Sequence, residues 1–123
     1  MRDMLRFHQD WRHDFIVAMM QGGRLDAERI ANVDLCALGI WLQGPGRQYA
    51  GQPWYEQLVI EHAFFHREAA HLARQLNQGR YQAVEDGLQV QAEYNRRSQA
   101  MQQLFQEGIK HVPEWAPHVD AGL

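Results

Sequence analysis

An all-α fold, an antiparallel four-helix bundle with a non-helical C-terminal tail, is what this 123-residue sequence predicts. Three observations lead there. Apolar residues recur at helical spacing along four segments, glycine and proline punctuate the gaps between them, and no run alternates as a strand would. Short connections between amphipathic helices favour antiparallel neighbours.

The first helix is expected over about residues 3–21, where Met4, Trp11, Phe15 and Met19 form a stripe whose gap is filled by His8. Gly22-Gly23 ends it. A shorter second helix is expected over residues 32–42, with Asn32 as N-cap and Asp34 in its first turn. Gly44-Pro45-Gly46 breaks the chain, and Pro53 is well placed as the first residue of a third helix. That helix, residues 53–77, carries Leu58, His62, Phe65, Ala69, Leu72 and Leu76 on one face, with Gly79 as its stop. A fourth, residues 80–106, uses Val84, Leu88, Met101 and Phe105 around a glutamine-rich middle. Residues 1–108 thus read as the bundle and 109–123 as a tail, because Pro113 and Pro117 cannot donate the helical hydrogen bond. Trp115 has no evident core position in such a tail.

Composition narrows the function classes. Apolar residues make up 46% of the chain, enough for a real core in one domain. The net charge of -3 is spread without a basic block, so neither nucleic acid nor an anionic membrane is an expected partner. No apolar run approaches the roughly 20 residues that span a bilayer, and no signal-peptide pattern opens the chain. A cytoplasmic location is expected. Cys36 is the single cysteine, so it is free, reactive or bound to metal.

Histidines four residues apart on a helix lie about 40° apart around its axis. His62 and His66 therefore point the same way, and His62 falls on the buried stripe. Taken alone, each candidate has an ordinary explanation: an incidental pair, a core histidine at His8, a small buried hydrophobe at Cys36. Gly39, three residues on, suggests close approach by another helix. Together, His8, Cys36, His62 and His66 put four donors from three helices toward one interior. Thiolate and imidazole are the ligands zinc prefers, and four complete a tetrahedral site. His13 and His71 lie roughly 140° and 180° around their helices from His8 and His62, and should face outward. Asp10, Asp34 and Glu61 are near enough in sequence to orient the imidazoles, though a solvated charge explains each. Trp11 and Trp41 read as core aromatics.

His8-Gln9-Asp10-Trp11, Cys36-Ala37-Leu38-Gly39-Ile40-Trp41 and His62-Ala63-Phe64-Phe65-His66 together resemble the chemoreceptor zinc-binding (CZB) domain. Cys36 follows Trp11 by 25 positions and His62 follows Trp41 by 21, both consistent with that family's spacing. The resemblance covers about residues 1–108. It implies zinc ligands at His8, Cys36, His62 and His66, and a non-enzymatic signalling module. In that family zinc occupancy, or oxidation of the zinc-bound cysteine, is thought to alter output. It also implies a homodimer or a partner in trans of the chemoreceptor or diguanylate cyclase type. Two other readings stand beside it. One is a structural zinc site in an interaction protein. The other is a hemerythrin-like bundle, which needs inward Glu-x-x-His pairs, whereas Glu68 and His71 supply that spacing once.

Overall fold

A computed structural model describes residues 2–89 and 91–115, with the side chains of residues 2–10 and of Glu114 outside the description. Every element among the described residues is helical: α1 (Arg2–Gln21), α2 (Ala27–Ala31), α3 (Ala37–Gln43), α4 (Pro53–Asn77), α5 (Tyr81–Gly87) and α6 (Glu93–Ile109). Single 3-10 turns lie at Val33–Leu35, Pro45–Tyr49 and Pro113–Trp115. No helix of the described residues is long and apolar enough to cross a membrane.

The central element is α4, on which α1, α2, α5 and α6 all pack. Pro53 starts it, and Glu56 in its first turn accepts a hydrogen bond from the Gly51 N–H at 3.1 Å. It ends in a Schellman motif: the Arg80 N–H reaches the Gln75 carbonyl at 2.9 Å, and Gly79, at φ 77°, donates to Leu76. Its expected inner face is buried at every position, from Leu58 through His62, Phe65, Ala69 and Leu72 to Leu76.

Four details differ from the sequence expectation, each for a local reason. The stretch before the second helix holds a further short helix, α2, capped by Asp26, whose carboxylate accepts from the Arg29 N–H at 3.1 Å. The second helix itself is divided. Asn32 caps only the 3-10 turn Val33–Leu35, and Cys36 becomes the N-cap of α3. The expected fourth helix breaks after Gly87 into α5 and α6. There, side chains compete for backbone carbonyls: the Arg12 guanidinium and the Asn95 amide both donate to Leu88, and Asn95 also reaches Gln89 at 2.7 Å.

The fourth difference is Trp115, which is a core residue. Its ring is fully buried, stacked on Phe105 at 4.2 Å between centroids and 4.5 Å from Trp41. Gly108 on α6 makes the room: a Cβ there would lie 2.6 Å from the Trp115 ring and 2.8 Å from that of Trp54. The rest of the expected tail, residues 116–123, lies outside the described residues.

Candidate metal centre

Three of the four expected donors meet. The Sγ of Cys36 lies 3.1 Å from Nε2 of His62 and 3.5 Å from Nε2 of His66, and the two imidazole nitrogens are 2.9 Å apart. All three residues are buried, Cys36 at 4% exposure and each histidine at 2%. The fourth, His8, lies on α1, and its side chain falls outside the described residues. His13 and His71 are exposed, as the helical arithmetic requires, and His71 bonds Gln75 at 2.9 Å.

Local structure places each donor. His62 and His66 sit one turn apart on the inner face of α4. Cys36 has an extended backbone (φ -96°, ψ 159°), and its sulfur accepts from the Gly39 N–H at 3.3 Å. This capping role, not a position along a helix face, aims the sulfur at α4. Gly39 is indispensable to that geometry. A Cβ on it would stand 1.7 Å from the Val33 carbonyl oxygen and 3.3 Å from the His62 ring. The close approach expected at Gly39 is therefore made first by the preceding 3-10 turn, and second by the His62 imidazole of α4.

His66 is oriented by backbone. Its Nδ1–H donates to the Ile30 carbonyl at 2.7 Å, which leaves Nε2 with its lone pair toward the cluster. The Ile30 carbonyl is itself positioned by a chain of contacts. Asn77 at the end of α4 clamps Leu25 through two hydrogen bonds of 2.9 and 2.7 Å, Asp26 caps α2, and α2 lies along α4. Of the carboxylates singled out in the sequence, Glu61 is held by Arg97 at 3.0 Å and Asp34 accepts from Gln43, while the side chain of Asp10 is outside the described residues. Sequence reasoning missed the Ile30 carbonyl. The signal for it was Asp26 followed by Glu28, a cap and first-turn pair that marks α2.

Burial pushes the Cys36 thiol up from its ordinary value, with the Gly39 and Leu38 N–H groups pulling it back. Burial lowers the pKa of His66, opposed by its bond to Ile30, so the ring is held neutral. Neutral imidazole is the state that binds metal. Trp11 walls the cluster, stacked on Phe65 and edge-on to His66 at 5.1 Å. Beside it, a cavity of about 130 Å³ bounded by Trp11, Arg29, Ile30, Asn32 and Leu35 reaches Cys36 and His66.

The three described donors could hold a metal ion, and their spacing can be set against the bond lengths of zinc. Bonds of about 2.0–2.1 Å to nitrogen and 2.3 Å to sulfur at tetrahedral angles imply donor separations of roughly 3.3–3.6 Å. The triangle here need widen by no more than about half an ångström to reach them. All three donor atoms lie within 4.8 Å of one another. No protein-family model, no curated protein and no solved structure matches this chain.

Proposed function

We propose that this chain is a zinc-binding regulatory module of the chemoreceptor zinc-binding type, with Cys36, His62, His66 and His8 holding one ion. The observation that carries the reading is the meeting of one buried sulfur and two buried imidazole nitrogens, one of them fixed in tautomer by a backbone carbonyl. His8 is the fourth ligand in this proposal, one turn before Trp11 on α1. Four protein ligands leave no position for an activated water, so the role is regulatory and not enzymatic. When bound, zinc ties α1, the start of α3 and α4 together and holds the Cys36 sulfur as a thiolate. The four-helix bundle enters with the same reading, α1, α3 and α4 forming three of its members and α5 with α6 the fourth. A cytoplasmic module of this kind passes zinc occupancy or Cys36 oxidation to a second copy or to a signalling protein in trans.

Metal analysis of the purified protein, followed by competition with a zinc chelator, tests the proposal. One zinc per chain that exchanges reversibly is the expected result. Zinc that leaves only on unfolding makes the site structural, and two irons per chain overturn the ligand set.

A further inference from the structure

We infer that residues 111–115 form a releasable strap whose docking is coupled, through α3, to the Cys36–His62–His66 cluster. The inference deepens the proposed function and rests on it for the role of zinc. The coupling itself stands on packing alone.

Only seven residues long, α3 serves two sites. Its N-cap is Cys36, and Gly39 in its second half-turn leaves room for the Val33 carbonyl and the His62 ring, both of which a Cβ there would meet within 3.3 Å. Trp41, two residues further, projects into the aromatic cluster that seats Trp115. A helix of two turns has no interior in which a displacement at one end can be absorbed. Movement of Cys36 is therefore movement of Trp41, and Trp41 is one wall of the Trp115 seat.

The backbone attachment of the strap is confined to one carbonyl: the His111 and Val112 N–H groups both bond Gly108, at 2.8 and 2.9 Å, while the 3.0 Å bond from the Trp115 N–H to Val112 lies within the strap and the His111 ring stacks on Trp54. Among its described side chains, Val112 and Trp115 are fully buried. Both indole N–H groups at the seat, those of Trp41 and Trp115, are buried and have no hydrogen-bond partner among the described residues. A buried unpaired donor weakens the docked state against a released one in which water satisfies it. The seat thus combines a large apolar contact with two polar penalties, which brings docked and released forms closer together. Coupling between two sites is reciprocal, so whatever zinc adds to strap docking, the docked strap adds to zinc binding.

Amide hydrogen exchange on the full chain, with zinc bound and after verified removal, reads the strap directly. Removal is expected to speed exchange at Val112 and Trp115 about tenfold, with the amides of α5 changed far less. Unchanged strap exchange overturns the inference, as does a uniform rise across every helix, which reports global destabilisation. A second arm needs no metal: the alkylation rate of Cys36 in the zinc-free protein. Trp115→Ala is expected to raise it about tenfold, because α3 loses its far support. Leu72→Ala, a core truncation at the opposite end of α4, controls for general loosening. Equal effects of the two substitutions overturn the coupling. Absence of zinc from the protein would refute the metal reading, and the alkylation arm would still decide the strap.

Discussion

Replacing Gly39 by alanine tests the local design of the site with a single methyl group. The added Cβ would stand 1.7 Å from the Val33 carbonyl oxygen and 2.9 Å from its carbon. An ordinary carbon–oxygen contact is nearly twice the shorter distance, so α3 and the 3-10 turn must part by more than an ångström. No rotamer change relieves the clash, because the obstacle is backbone. Overpacking of this kind costs about 1–3 kcal/mol, here at the upper end. Alanine recovers about 1 kcal/mol of helix propensity over glycine. The net loss is then about 2 kcal/mol, or roughly 8 °C in melting temperature for a chain of this length. Because the Gly39 N–H also donates to the capping Cys36 sulfur, zinc affinity should fall at least about tenfold. Thermal melts by circular dichroism and chelator competition measure the two effects. A variant as stable as the parent, with unchanged affinity, would refute the geometry of the Val33–Gly39 contact.

His62→Ala should lower zinc affinity far more than His71→Ala, since the first ring lies in the cluster and the second is exposed; equal losses in a competition titration would mean the wrong ligands. Chelation should lower the melting temperature, because a ligand bound only to the folded state stabilises by about 4.1 kcal/mol at a thousandfold excess over Kd. In the zinc-free protein the His66 pKa is depressed below 6.5, so the unfolded chain takes up the proton first. Its contribution is present above pH 6.5 and lost as pH falls through the folded value, and a melting temperature that rises on acidification would contradict this. Peroxide or hypochlorous acid should modify Cys36 and release zinc in step, since Cys36 lines the adjoining cavity and a sulfenic acid is a poor ligand. A chromogenic chelator reports the release, and zinc retained until unfolding would leave Cys36 structural.

The helical periodicity of the sequence located the bounds of α4 and the centre of its buried face, which Trp54, Tyr55, Ala70 and Ala73 widen, because a 25-residue helix packed on several neighbours expresses its pattern over seven turns. The two histidines on it were legible for the same reason. Shorter pieces were not. The cap at Cys36 depends on a carbonyl, that of Val33, passing where Gly39 lacks a side chain, and no periodicity records such a contact. The break after Gly87 depends on Arg12 and Asn95 claiming the Leu88 carbonyl, a tertiary event invisible along the chain. Trp115 follows a proline in what reads as a tail, and its burial needs Gly108, seven residues earlier, to open α6 to an indole. Gly108 could have been read as a packing site; the sequence offers no sign of which ring would fill it.

X-ray absorption at the zinc edge of the metal-loaded protein tests the central claim most directly. One sulfur and three nitrogens, at about 2.3 and 2.0 Å, are the shell that Cys36, His62, His66 and His8 would provide. The sulfur should vanish in Cys36→Ala, and one nitrogen should be exchanged for solvent oxygen in His8→Ala. A shell of oxygen and nitrogen without sulfur in the unaltered protein would contradict the account.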